Sequence, residues 1–241
     1  MIIEDAVVLI TGAGRGLGLA LVRALFNKSP RYIYAAIRNQ EQLDALIADY
    51  GDIVIPVSMD VTDTESINRV ADLAQDVTLL INNAGVISEG NLFQAELDNI
   101  QREMDVNYFG TLNVIRRFTP IIEANGGGAV INILSISALA SVPGIGGYSA
   151  SKAASQSLTQ SIRYLLQDKS ITVHGVFPGP IDTDMTRDMD VRKATSDDVA
   201  QAIVEQVEQG EEDIFPDEMS RQGGLCWRSD PKVLERQLAM S

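Results

Sequence analysis

The chain has 241 residues, of which 45% are hydrophobic and 22% charged, a balance that fits one domain around a single core and excludes disordered and fibrous classes. Its 19 Lys and Arg against 33 Asp and Glu give a formal net charge of −14, a surface that repels nucleic-acid backbones and anionic membranes. Cys226 is the only cysteine and His174 the only histidine, which excludes an intrachain disulfide and a cysteine-based metal cluster; a reducing, cytoplasmic setting and no metal are expected.

In chain order, apolar runs rich in β-branched residues occupy 6–11, 32–37, 53–57, 77–81, 129–134 and 171–177. They are nearly continuous rather than alternating, the mark of strands buried on both faces. Helical patterns lie between them. Residues 17–26 have the apolar density of a helix packed on a sheet, and 40–49 carry Leu43, Leu46 and Ile47 at helical spacing. Residues 62–75 open with a capping-box sequence, Thr62-Asp63-Thr64-Glu65, ahead of a stripe of Ile67, Val70, Ala71 and Ala74. Two longer helices are predicted over 96–119 and 149–166. A third covers 196–208, with Asp197 and Asp198 near its positive end. Residues 213–216 hint at a short last strand, and the stretch from 211 to the C-terminus is less periodic. Strand and helix alternate throughout, which predicts right-handed crossovers and an α/β, doubly wound parallel sheet of six to seven strands with helices on both faces, in one domain over 1–241. The residues before the first strand show no basic leader pattern, and no apolar run approaches the ~18 residues of a membrane span. No membrane or nucleic-acid partner is expected.

Thr11-Gly12-Ala13-Gly14-Arg15-Gly16-Leu17-Gly18 stands where the first strand ends and the first helix begins. A turn of this kind lets bare backbone approach a pyrophosphate, while the helix behind it presents oriented N–H groups. The second strand ends Ala35-Ala36-Ile37-Arg38-Asn39. It lacks the acidic residue that would bond a free ribose 2′-hydroxyl, and offers Arg38 instead, with Arg15 able to approach the same group. Guanidinium groups suit a 2′-phosphate, so NADP(H) is expected over NAD(H). Asp60-Val61 and Asn82-Asn83-Ala84-Gly85 follow further strands, where open α/β sheets place their ligands. Tyr148 and Lys152 are four residues apart, with Ser135 thirteen positions upstream of the tyrosine. On a helix they share a face, and the ammonium is expected to lower the phenol's pKa from its usual ~10. His174 lies inside the sixth strand and is read as a packed strand residue.

These residues together resemble the short-chain dehydrogenase/reductase family. The likeness rests on Thr11-Gly12-x-x-x-Gly16-x-Gly18, Asp60, Asn82-Asn83-Ala84-Gly85, Asn107, Ser135, Tyr148-x-x-x-Lys152 and Pro178-Gly179. It implies a Rossmann-like fold and an NADP(H)-dependent oxidoreductase that interconverts a carbonyl and a secondary alcohol. By the same resemblance Thr11, Gly12, Gly14, Arg15, Gly16, Leu17, Gly18, Arg38 and Asn39 bind the cofactor. So do Asp60 and Val61 at the adenine, Asn82, Ala84 and Gly85 on the ribose side, and Pro178, Gly179, Ile181 and Thr183 at the carboxamide. Tyr148 is implied as the acid-base residue and Lys152 as its electrostatic partner and ribose ligand. Ser135 would orient the carbonyl, and Asn107 would hold a water beside Lys152. Assembly as a homodimer or homotetramer through the two long helices is also implied.

The chain departs from that family after Thr183. A short, charged segment, 184–195, replaces a longer substrate loop, which predicts an open pocket suited to a sizeable small-molecule substrate or to broad tolerance. The tail 211–241 is atypical, and its Met219, Leu225 and Trp227 predict a contact on the same domain or a neighbouring subunit. Two other readings stand beside the carbonyl reductase: an imine reductase on the same fold, and a non-catalytic NADP(H)-binding sensor or scaffold.

Overall fold

The apolar runs are the strands of one parallel sheet. The computed structural model, which describes residues 3–38 and 49–240, contains β1 (Val7–Thr11), β2 (Tyr32–Ile37), β3 (Val54–Ser58), β4 (Leu79–Asn82), β5 (Gly128–Ile133), β6 (Ile171–Val176) and β7 (Asp213–Ile214). Their spatial order is β3-β2-β1-β4-β5-β6-β7, parallel at every pairing, with Leu9 facing Tyr34 on one side and Leu80 on the other. The order reverses between β1 and β4. Crossovers on the two sides of that point run to opposite faces, which opens a crevice at the carboxyl ends of the strands.

Eight helices are described: α1 (Gly16–Phe26), α2 (Thr64–Leu73), α3 (Leu97–Met104), α4 (Thr111–Ala124), α5 (Gly146–Leu166), α6 (Ser196–Glu208), α7 (Glu218–Ser229) and α8 (Pro231–Ala239). Side chains alternate across each strand, so each of β1 to β6 feeds two cores. Val8, Ile10, Ile33, Ile81 and Ile131 meet Leu17, Leu21 and Leu25 of α1 and Val199, Ile203 and Val207 of α6. Val7, Leu9, Leu80, Val130 and Val173 meet Ile67 and Val70 of α2, Phe118 and Ile122 of α4, and Ile162 and Leu166 of α5. Each such side chain contributes roughly 1.5–3 kcal/mol by leaving water. His174 is a packed strand residue, its Nδ1 2.6 Å from the Glu211 carbonyl; burial pulls its pKa down.

Three elements differ from expectation. The predicted helix 96–119 is interrupted: a π-helical turn, Asp105–Gly110, separates α3 from α4. The cap of α2 is Asp63, whose side chain accepts from Glu65 N at 2.9 Å. Thr62 does not cap, because Asp60 holds both its amide and its hydroxyl. The tail folds into α7 and α8, and α7 is closed by a capping box between Asp217 and Ser220. A small third core of Leu134, Ile136, Phe177 and Phe215 lies beneath it, with the two phenyl rings stacked at 5.2 Å. Asn39 and, except for its last residue, the predicted helix 40–49 lie outside the described residues. Among the described residues no helix is long and apolar enough to cross a membrane.

Candidate active site

A cleft of about 570 Å³ lies over the carboxyl ends of β1, β2, β4 and β5. Its floor is the glycine turn. Gly12 and Gly16 hold positive φ, at 68° and 53°, and a Cβ on Gly18 would stand 2.1 Å from the Gly12 carbonyl oxygen. Only bare backbone closes this turn. Arg15 at the start of α1 lends no capping side chain, so the first-turn N–H groups keep their donor capacity. Thr11 Oγ1 accepts from Asn83 N and Ala84 N at 3.0 and 2.9 Å, and Asn83 Nδ2 donates to the carbonyls of Thr11 and Gly12. The glycine turn and the turn after β4 are thereby one unit.

At the outer end of the cleft Arg38 and Asp60 pair at 3.7 Å. Burial disfavours the Asp60 carboxylate, but the two Thr62 bonds and Arg38 outweigh it and hold the pKa below its usual value. Arg15 reaches across to Asp184 at 3.3 Å. This ties the glycine turn to the segment after Thr183, whose base is closed by Asp182 N on the Ala194 carbonyl and Ala194 N on the Pro180 carbonyl.

At the inner end stand Ser135, Tyr148 and Lys152. Ser135 Oγ accepts from the amide and hydroxyl of Ser137 at 3.1 and 3.0 Å, which leaves its own proton for another acceptor. Lys152 Nζ donates to the Ile133 carbonyl at 2.7 Å and lies 5.6 Å from the centre of the Tyr148 ring. Burial of the ammonium, which is 5% exposed, pulls it down to about 8. The expected lowering of the phenol is not what the site produces. Desolvation dominates and pushes Tyr148 up to about 12, against the Ser135 hydrogen bond and with the charge of Glu103 adding to the rise.

Of the residues singled out from the sequence, Gly12, Gly14, Arg15, Gly16, Leu17, Gly18, Arg38, Asp60, Val61, Ala84, Gly85, Ser135, Tyr148, Lys152, Pro178, Gly179, Ile181 and Thr183 line the one cleft. Three stand behind its wall. Thr11 is spent on the two amides above. Asn82 ends β4 facing inward, where it donates to Asn132 at 2.8 Å; strand alternation turns its neighbour Asn83 to the cleft instead. Asn107 is buried in the π turn, exchanging bonds with Val86 N and O and donating to Ser151 Oγ. It still lies close to Lys152, since a Cβ on Gly85 would be 3.2 Å from Asn107 Oδ1 and 3.6 Å from Lys152 Nζ.

Asn83, Glu103 and Asp217 escaped the sequence reading. Parity along β4 signals the first, and the Asp-x-x-Ser spacing signals Asp217 as a cap. Asp217 also accepts the Gly179 amide at 2.8 Å, while the Pro178 carbonyl accepts from Ile136 N at 3.0 Å. The tail thus braces the turn beside Ser135. Among the described residues no group of His, Cys, Asp and Glu is arranged to hold a metal ion.

A family model, short chain dehydrogenase, matches residues 6–194. A 3-alpha-(or 20-beta)-hydroxysteroid dehydrogenase of Mycobacterium tuberculosis is 32% identical over 184 residues, 75% of this chain and 70% of the relative. An uncharacterised oxidoreductase of Staphylococcus aureus strain USA300 is 30% identical over 211 residues, 84% of this chain and 91% of that one. Among solved structures, a short chain dehydrogenase from Burkholderia cenocepacia in complex with NADP superposes with a TM-score of 0.93 at 38% identity, covering 99% of both chains. One from Burkholderia phymatum in complex with NAD has a TM-score of 0.88 at 24% identity, covering 98% of this chain and 96% of the other, a likeness of fold.

Proposed function

We propose that this chain, which belongs to the short-chain dehydrogenase/reductase family, is an NADP(H)-dependent enzyme that interconverts a carbonyl compound and a secondary alcohol, working chiefly as a reductase. The observation that carries the reading is the convergence of Ser135, Tyr148 and Lys152 on the cleft whose floor is the glycine turn. The donor set suits a phosphorylated dinucleotide: a turn with no room for side chains, free first-turn amides, and two guanidinium groups where an acid would select the unphosphorylated form. NADPH, when bound, supplies the hydride.

The chain's own groups supply the rest. In reduction, negative charge grows on the carbonyl oxygen, and it needs donors already aimed at it. Ser135, with its proton uncommitted to Ser137, orients that oxygen. Tyr148 remains a protonated phenol throughout the neutral range and gives up its proton as the alkoxide forms. Lys152 stabilises the phenolate that results and helps hold the nicotinamide ribose, while Asn107 anchors the π turn behind it. The NADP-bound Burkholderia structure and the absence of an acid at position 38 support the cofactor assignment.

The rim favours an apolar, sizeable substrate. Met185 lines the cleft at 39% exposure, and Met219 packs over Gly179 at 42%. Exposed Phe109, Tyr164 and Leu165 on the long helical pair support a homo-oligomer, which light scattering measures directly. The hydroxysteroid dehydrogenase relative is consistent with a bulky ketone.

Replacing Tyr148 by Phe, with NADPH oxidation followed against ketones, aldehydes and diketones, tests the reading. Turnover should fall by about 10²–10⁴-fold with NADPH affinity retained. Undiminished turnover in that variant would overturn the assignment.

A further inference from the structure

Glu103 is a buried carboxyl that the chemistry above does not use. It sits near the end of α3, 1% exposed, and among the described residues no Lys, Arg or His lies within ion-pair reach of it. A buried carboxylate without a cation is costly unless polar groups replace water. One is in place: Glu103 Oε1 accepts from Ser88 N at 2.6 Å. Oε2 packs against the first turn of α5 so closely that a Cβ on Gly147 would stand 2.3 Å from it. The N-cap of α5, Ile145, offers no side chain to its orphan amides. An anion supplied by another helix therefore sits at the positive end of the helix that carries Tyr148.

The segments that meet at Glu103 are both close to the reacting end. The chain after β4 joins the entry to α5 again through Gly90 N on the Gly144 carbonyl at 3.0 Å and through Leu92, whose Cγ would be 2.6 Å from a Cβ on Gly146. Gly146 and Gly147 are thus glycines because Leu92 and Glu103 occupy the space their side chains would need.

We propose that Glu103 is a positioning residue: its carboxylate clamps the Ser88 segment to the first turn of α5 and holds a negative charge behind Tyr148. The inference rests on the reading of Tyr148 as the proton donor. Desolvation raises the pKa of Glu103 while its Ser88 bond opposes the rise, and its charge is among the causes of the raised phenol. The other ionisable groups around it are Tyr148 and Lys152 on α5, exposed Glu89 beside Ser88, exposed Arg102 on its own helix, and Asp105 at the start of the π turn. Of these, Lys152 alone is a buried basic group.

Glu103→Gln keeps the shape and the acceptor for Ser88 N but removes the charge. In NADPH-dependent reduction its NADPH affinity should be unchanged, while the Tyr148 phenol, whose rise the Glu103 charge supports, should ionise at a lower pH than in the native protein. Glu103→Met fills the space but cannot accept from Ser88, and should show the same shift together with a rise in KM of about tenfold. A Tyr148 titration that coincides with that of the native protein in both variants would overturn the proposal, whatever happens to KM. Ionisation of Tyr148 in the cofactor-free protein, read as the phenolate absorbance that Tyr148→Phe removes, should begin about one unit lower in both variants. That titration needs no turnover, so failure of carbonyl reduction in the native protein would sink the activity reading while leaving Glu103 to be judged separately.

Discussion

Replacing Arg38 by Ala tests the choice between the two nicotinamide cofactors. Its guanidinium lies at the end of β2, 60% exposed, and lines the cleft beside Asp60 at 3.7 Å. A charge-assisted bond from Arg to a phosphate is worth about 1.5–3 kcal/mol when well aligned, so NADPH affinity should fall by roughly 10- to 150-fold at about 1.4 kcal/mol per decade. The loss also frees Asp60, whose carboxylate would then repel the phosphate, which places the expectation in the upper half of that range. NADH has no 2′-phosphate and reports every other consequence of the change, so its dissociation constant should stay within about threefold. Titrations of both cofactors at one fixed ionic strength give the ratio, because exposed charges are screened over about 8 Å at physiological salt. Arg15→Ala adds a second leg. Arg15 also holds Asp184 at 3.3 Å, so its removal alone loosens the segment after Thr183, and a double-mutant cycle separates that effect from a shared phosphate contact. An unchanged NADPH to NADH ratio in the double variant refutes the argument for a 2′-phosphate site.

Two further outcomes follow from the buried charges. Lys152 is held down to about 8 by burial, so between that value and about 10.5 the unfolded chain binds a proton that the folded one does not, and stability rises with pH through that window. Lys152→Met should abolish turnover yet stabilise the fold at pH 7 by about 1–3 kcal/mol, a Tm gain of several degrees by calorimetry that narrows by pH 10; a lower Tm at pH 7 contradicts it. Asp217→Asn replaces the acceptor for Gly179 N and Ser220 N and should cost about 1 kcal/mol of stability. It should also reduce kcat with little change in NADPH affinity, and a variant with native kcat would show that the tail does not brace the site.

The parallel sheet was readable because its strands are buried on both faces, so runs such as 32–37 carry their signal in every residue. Motif residues at strand ends were readable for the related reason that a crevice at the carboxyl edge needs small or polar groups there. What stayed hidden depends on contacts between distant segments. The break in the predicted helix 96–119 comes from Asn107, whose bonds to Val86 and Ser151 hold a π turn that no local periodicity announces. Gly146 and Gly147 begin α5 because Leu92 and Glu103 leave no room for larger residues, a fit between distant segments that neither glycine reveals by itself. Glu103 itself sits among Gln101, Arg102 and Asp105 and looks like one more solvated charge. The tail helices were announced only by their first residues, Asp217 with Ser220, and Asp230 before Pro231.

The cleft is held from two sides by carboxylates that never reach it. Glu103 secures the turn that carries Tyr148, and Asp217 secures the Pro178–Gly179 turn beside Ser135. Lys152 and Glu103 both place charge where water is scarce, and each such placement costs stability that the apolar faces of the sheet offset elsewhere. A chain selected for stability alone would replace them with apolar groups of similar volume. Their arrangement makes sense if the reacting oxygen must find a donor, a cation and a fixed backbone in place before hydride transfer, since donors that reorganise during the reaction lose most of their electrostatic advantage. Met185 lines the cleft beside the Arg15–Asp184 pair, and Met219 packs over Gly179, so exchanging those methionines should alter which carbonyl compounds are accepted while leaving the geometry of proton donation intact.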